Sequence, residues 1–270
     1  MEKELKLSIK DLLESGAHFG HYRHKWDPKM KRFIFEKRSG IDIIDLSKTM
    51  QQIREAVQVI EDIVTKRKSI IFVDTKKQAK SIVRECAEEC DEYYVSERWL
   101  GGMLTNLSTI RKSVKTLENI EKRIATGGEG LTKKEMSCLT KDQVKLDRNL
   151  SGIRGMRKLP GLLIVVDPGD EHIAVAEAKK LNIPVMALVD TNCNPDPIDY
   201  VIACNDDALK CVKLILGTFK DVILEKKKEL KISKIKEGER KKEYFEKQAL
   251  KKEIPKKQVS EKISKEKEQK

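Results

Sequence analysis

The sequence predicts an α/β protein, a three-layer αβα sandwich into which an antiparallel coiled-coil hairpin is spliced. Continuous apolar runs such as Ser69-Ile-Ile-Phe-Val-Asp74 and Leu162-Leu-Ile-Val-Val166 suit strands buried on both faces of a parallel sheet. Helical segments separate these runs, which implies right-handed crossovers with helices on both faces. Between Leu107 and Met156 the pattern changes. Ile110, Val114, Leu117, Ile120 and Ile124 recur at steps of four and three, as do Met136, Leu139, Leu146, Leu150 and Ile153 if Gln143 fills the missing position. A narrow apolar stripe flanked by charge is a coiled-coil seam.

In chain order, Ser8 to Ser15 reads as a short amphipathic helix, with Ile9, Leu12 and Leu13 on one side and Gly16 ending it. Ala17 to Arg38 reads as a loop dense in His, Lys, Arg and aromatics, with short strands at Phe33-Ile-Phe35 and Ile41 to Ile44. Ser47 to Lys66 spaces Ile53, Val57, Ile60 and Val64 for one buried helix face. The strand before Asp74 is followed by a helix from Lys76 to Cys90 and a short strand at Tyr93 to Val95. In the hairpin, Gly127-Gly128-Glu129-Gly130 breaks the helix, because glycine loses most chain entropy there. Thr132 and Glu135 form a capping box that restarts it. Beyond the hairpin come the strand Leu162 to Val166, a helix from His172 to Leu181, strands at Pro184 to Val189 and Tyr200 to Ala203, and a closing helix from Asp206 to Lys220 or beyond. The domain organisation is therefore a globular body of residues 1–106 and 157–224, the hairpin at 107–156, and a tail at 225–270. The tail's Glu and Lys sustain helix for some turns, but without a core-facing stripe it reads as disordered or fraying.

The chain has 270 residues, 39% hydrophobic and 37% charged, so one sizeable domain can bury a core beneath an ionic surface. Only 5% are aromatic, which argues against a stacking platform for single-stranded bases. Of the net charge of +12, +8 lies between Glu225 and Lys270. Clustering within the body must therefore carry any nucleic-acid argument. Six irregularly spaced cysteines without a CxxC pair point to a reduced intracellular compartment. A charged N-terminus and the lack of any long apolar run give no reason to expect a secretory signal or a membrane span.

Enzymatic signals are weak. No G-x-G-x-x-G follows a strand, and Asp167-Pro-Gly-Asp-Glu171 would repel a phosphate. Asp167, Asp170 and Glu171 are explained as acids at a helix N-terminus. No nucleophile elbow or Cys/His catalytic pattern occurs. His18, His21 and His24 recur at intervals of three, but the glycines at 16 and 20 oppose a helix that would gather them, so no metal centre is expected. Asp190 to Asp196 lacks the glycine and glutamate of a calcium loop. No catalytic residue and no cofactor is assigned. Basic clusters remain: His21 to Arg32, which interleaves cations with Tyr22 and Trp26; Arg111, Lys112, Lys115, Lys122 and Arg123 on the first hairpin helix; and Arg154, Arg157 and Lys158 after the second. Such groups bind a polyanion by counterion release, and fixed cations beside aromatics suit structured RNA.

Several stretches together resemble one family. They are Leu12-Leu-Glu-Ser-Gly-Ala-His-Phe-Gly-His21, Trp26-Asp-Pro-Lys-Met30, Phe72-Val-Asp-Thr-Lys-Lys-Gln-Ala79, Arg98-Trp-Leu-Gly-Gly-Met-Leu-Thr-Asn106, Asp167 through Ile183, Val189-Asp-Thr-Asn192 and Asn205-Asp-Asp-Ala208. From about Leu7 to Lys220, in this order and spacing, the chain is similar to the bacterial-type small-subunit ribosomal protein S-two family. Ile202-Ala-Cys204, Leu159-Pro-Gly161 and His24 depart from that family's usual residues.

The resemblance implies a flavodoxin-like parallel five-stranded sheet with the coiled-coil hairpin inserted, and a structural role on the small ribosomal subunit without catalysis or a small-molecule substrate. The implied partners are small-subunit ribosomal RNA and neighbouring ribosomal proteins, including a docked ribosomal protein S-one, in the cytoplasm (or an organelle interior if the gene is organellar). The residues expected to hold RNA phosphates are Arg23, Lys25, Lys29, Lys31, Arg32, Arg98, Arg111, Lys112, Arg154 and Arg157, with Trp26 and Trp99 fixing loop shape. Two rivals are a small-molecule-binding enzyme using the sheet's carboxyl edge and a protein–protein adaptor whose arm binds a helix.

Overall fold

The computed structural model of the chain describes residues 7–127 and 132–232. The central sheet has five strands: β4 (Ile70–Val73), β5 (Tyr93–Val95), β6 (Leu162–Val166), β7 (Val185–Val189) and β8 (Tyr200–Ala203). They are all parallel, in the order β5-β4-β6-β7-β8. This is the flavodoxin-like arrangement, with its topological switch point between β4 and β6.

Side chains alternate between two apolar layers, as a strand's period of two requires. Ile71, Val73, Leu163, Val165, Val185 and Ala187 join a core with α6 (His172–Lys180) and the root of the hairpin. Ile70, Phe72, Leu162, Ile164, Met186 and Leu188 are equally buried on the opposite face. That layer contains α2 (Leu46–Thr65), α3 (Lys80–Cys90) and residues 209–224 of the C-terminal helix α7. The double-sided burial explains why these strands read as unbroken apolar runs.

The hairpin makes the β5-to-β6 connection. Helix α4 (Leu107–Ala125) leaves the body and α5 (Lys133–Leu150) returns. Ile110, Val114, Leu117 and Leu150 are buried, and Met136, Leu139, Gln143 and Leu146 are half-buried, so Gln143 occupies the seam position the spacing assigned to it. The capping box at Thr132 is formed: Glu135 N–H donates to the Thr132 hydroxyl, and Thr132 N–H donates to the Glu135 carboxylate at 2.8 Å. Gly127, at φ +75, sits just past the end of α4. The remainder of the glycine run, Gly128 to Gly130, lies outside the described residues.

Two expectations change at the N-terminal side. The segment from Ala17 to Arg38, read as loop apart from a short strand at Phe33 to Phe35, also contains β1 (Phe19–Tyr22); the expected strand runs longer, as β2 (Ile34–Arg38), and both flank β3 (Ile41–Ile44), as expected, in an antiparallel sheet ordered β1-β3-β2. Short 3-10 turns at Arg23–Lys25 and Pro28–Phe33 fill the interval. Ahead of them stands α1 (Ile9–Glu14), capped by Ser8. Helix α3 starts at Lys80 rather than Lys76, because Asp74 Oδ1 accepts from Lys76 N–H at 2.8 Å and holds a turn there. In the tail, expected to sustain helix for some turns before disorder or fraying, residues 225–232 are helical; residues 233–270 lie outside the described residues. Among the described residues no helix is long and apolar enough to cross a membrane.

Where the hairpin rejoins the body, Gly152 passes so close to β5 that a Cβ there would stand 2.2 Å from the Tyr94 carbonyl oxygen and 2.6 Å from its ring. Backbone cannot yield as a flexible side chain can. Gly152→Ala is expected to cost about 2–3 kcal/mol in urea denaturation. Gly101→Ala, where a Cβ meets nothing within 4 Å, serves as the near-neutral control.

Candidate nucleic-acid interface

The basic segment after β1 is built rather than loose. Asp27 caps the second 3-10 turn by accepting from Lys29 N–H at 2.8 Å, with Pro28 at its first position. Asp27 N–H donates to Thr191 O at 2.8 Å and Met30 is fully buried, which ties the segment to the end of β7. The Arg23 guanidinium stacks 3.0 Å above the Trp26 ring and lies 3.3 Å from the buried Asp42 carboxylate. Arg32 stands 4.7 Å over Phe33, and Lys29 pairs with Asp196. Lys25, Lys31 and Arg32 are exposed. The cations thus stand on a fixed backbone, as phosphate contacts require.

A second basic surface lies at the root of the hairpin. Arg111, Lys112, Lys115, Arg154 and Arg157 line one shallow groove of about 470 Å³ with Leu107 and Ile153. Four of the expected RNA-binding residues, far apart in sequence, come together here. Arg154 differs from the rest. Its guanidinium reaches Glu121 and Asp147, each at 2.6 Å, so its charge also ties α4 to the end of α5. Arg98 does not join this group. It borders a separate groove with Lys141, Lys145 and Arg148, where Glu97 bridges Lys80 and Arg148 at 2.8 and 2.7 Å. The sequence reading overlooked that trio. Its signal was present, since 141, 145 and 148 share one helix face outside the seam. Trp99 is buried, with its indole N–H donating to Glu177 at 3.2 Å, whereas Trp26 is half-buried beneath Arg23.

The carboxyl edge of the sheet, where this fold places ligands, has the opposite charge. Asp74, Asp167, Glu171, Asp190 and Asp206 are all buried there. Lys76 Nζ lies 2.8 Å from Asp167, 3.2 Å from Asp206 and 2.9 Å from Asp207. Burial, reinforced by neighbouring acids, pushes Asp74 up to about 7 and Asp206 up to about 8. Burial also raises Glu171, against the Thr75 hydrogen bonds. His21 Nδ1 meets Asp190 at 2.7 Å, a hydrogen bond that raises the His21 pKa although burial opposes it. The N-terminal sheet covers this edge. His21 N–H donates to the Thr191 hydroxyl at 2.8 Å, and a Cβ on Gly20 would collide with Thr191 at 2.6 Å. A phosphate approaching here meets carboxylates and a covering strand, so the edge repels the ligands that bind other proteins of this fold.

The family profile Ribosomal protein S2 matches residues 12–226. The chain is 70% identical over 233 residues to the small ribosomal subunit protein uS2 of Protochlamydia amoebophila, covering 86% of each. It is 58% identical over 230 residues to the protein of the same name from Chlamydia trachomatis serovar D, covering 85% of this chain and 82% of that protein. With the namesake from Chlamydia pneumoniae it shares 57% identity over 227 residues, 84% of this chain and 82% of the relative.

Proposed function

The chain belongs to the ribosomal protein S2 family, and from that premise we propose that it is a structural constituent of the small ribosomal subunit, gripping folded small-subunit ribosomal RNA without catalysing a reaction. The observation that carries this reading is the division of charge. Cations converge on a shallow open groove at the hairpin root and on a rigid basic segment, while the edge where an enzyme of this fold would hold substrate is filled with buried carboxylates. The phosphate contacts are assigned to Arg23, Lys25, Lys29, Lys31, Arg32, Arg98, Arg111, Lys112 and Arg157. Arg154 contributes to RNA binding while also holding the hairpin. Neighbouring small-subunit proteins, and a docked ribosomal protein S-one, complete the partners in a cytoplasmic, ribosome-bound setting; the S-one contact follows from the family resemblance alone.

The test is reconstitution of small subunits with the triple variant R111Q/K112Q/R157Q across a salt series. Each lost phosphate contact removes about one unit from the slope of log affinity against log salt. Weaker incorporation and a slope shallower by about 2–3 are expected. Wild-type incorporation with an unchanged slope would refute the assignment of this groove.

A further inference from the structure

We propose that the exposed rings of Tyr22 and His24 form a stacking shelf for one unpaired base of the bound RNA, so that the basic segment recognises a looped-out nucleotide as well as phosphates. This deepens the RNA-binding reading and rests on it.

The two rings stack on each other, with centroids 5.8 Å apart and planes 22° from parallel, within the range of offset aromatic pairs. Both side chains are exposed, Tyr22 at 56%, so His24 leaves much of the tyrosine ring open to a further partner. An exposed ring pair gains little from burial within its own chain; its apolar surface is covered only when something flat is laid on it.

The backbone beneath the rings is fixed. Tyr22 ends β1 opposite Ile41 of β3. Arg23 N–H donates to Gly40 O at 2.9 Å, and the 3-10 turn Arg23–Lys25 carries His24 back beside Tyr22. The Arg23 guanidinium, held between Trp26 and Asp42, braces that turn. A shelf built this way loses little freedom when a ligand lands on it.

Charge selects the occupant. From Tyr22 to Arg32 there are five Lys or Arg residues and one aspartate, and Lys25, Lys31 and Arg32 are exposed. A protein aromatic brings no anion to these cations, whereas a nucleotide brings a phosphate with every base. Bases within a duplex are already stacked on each other, so only an unpaired base in a loop or bulge can offer its face. The low aromatic content of the chain speaks against an extended groove for single strands, not against a shelf for one base.

The experiment measures binding of the full chain to protein-free small-subunit ribosomal RNA across a salt series, for the wild type, Tyr22→Leu, His24→Leu and Tyr22→Phe. Stacking releases no counterions, so its loss lowers affinity at every salt concentration without changing the slope, unlike loss of a phosphate contact. Tyr22→Leu is expected to weaken binding about five- to a hundredfold with the wild-type slope. His24→Leu should weaken it in the same parallel manner. Tyr22→Phe, which keeps the ring, should stay within about twofold of wild type. Ultraviolet crosslinking of the wild type should join Tyr22 or His24 to a single nucleotide. Wild-type affinity of Tyr22→Leu, an equal loss in Tyr22→Phe, a shallower slope in Tyr22→Leu, or no crosslink at either ring would overturn the proposal. So would subunits of Tyr22→Leu that lose a neighbouring ribosomal protein while RNA affinity stays intact, since the shelf would then be a protein contact. A wild type that binds no RNA brings down the RNA-binding reading and the shelf together; a wild type that binds, matched by Tyr22→Leu, brings down the shelf alone. Should a leucine variant fail to fold, the crosslink on the wild type decides alone.

Discussion

Glu177→Ala is expected to lower stability by about 3–5 kcal/mol, seen as a fall in Tm of roughly 6–20 °C for a domain of this size. Glu177 is buried on α6, and its carboxylate accepts five hydrogen bonds. The donors are Trp99 Nε1 at 3.2 Å, the amides of Gly102 (2.6 Å), Leu104 (3.0 Å) and Thr105 (3.0 Å), and the Thr105 hydroxyl at 3.1 Å. Together they fasten the segment that launches the hairpin. Alanine would strand the buried donors of Trp99 and Leu104 away from water, and amide exchange at Gly102 to Thr105 should quicken. Burial by itself would raise the Glu177 pKa, but the Thr105, Leu104, Gly102 and Trp99 hydrogen bonds outweigh it and hold the group below its ordinary 4.5. A depressed folded pKa gives stabilisation that is complete above the unfolded value and is lost as pH falls through the folded one. The deficit of Glu177→Gln relative to wild type should therefore be largest at neutral pH and shrink below about pH 4.5. Wild-type stability of Glu177→Gln at pH 7 would refute the role given to this carboxylate.

Glu177 also marks where the sequence stops being legible. A glutamate within a charged, amphipathic helix reads as solvated; only its phase, on one face with the buried Ala174 and Ala178, hinted otherwise. Patterns that repeat locally were readable: the seam from Ile110 to Leu150, the doubly buried strands, and the capping box at Thr132. What depends on distant pairing was not. Strand β1 is four residues long and exists through its ladder with β3, so Phe19 to Tyr22 passed for loop. The basic residues were visible, but their counter-ions were not. Nothing near Arg154 in the chain announces Glu121, and the Lys29 partner, Asp196, lies at the far side of the sequence. The same holds for the acidic edge. Asp167 and Glu171 were explained by a helix dipole, yet they belong to a cluster that also draws on the ends of β4, β7 and β8.

Lys76→Met should cost about 3–5 kcal/mol when measured by denaturation in chelator-containing buffer, because it leaves the carboxylates at the switch point without their principal cation. Burial would lower the Lys76 pKa, but Asp206, followed by the hydrogen bonds to Asp167 and Asp207, drives it well above the ordinary lysine value. The ammonium is therefore a fixed charge. If the loss comes from these pairs rather than from packing of the lysine stem, it must depend on the acids. In an Asp167→Asn background the same substitution should cost less, with a coupling of at least about 1 kcal/mol. A neutral Lys76→Met, or costs that simply add, would refute this account. The comparison also discriminates function. A lysine just after the first central strand, beside the switch point, is well placed to hold a phosphate in a nucleotide-binding relative of this fold. Here three carboxylates within 3.2 Å occupy it, so Lys76→Met should alter stability while leaving nucleotide affinity negligible in both proteins. A nucleotide that binds the wild type at micromolar concentration and is lost in the variant would instead mean that the acidic edge is a working site.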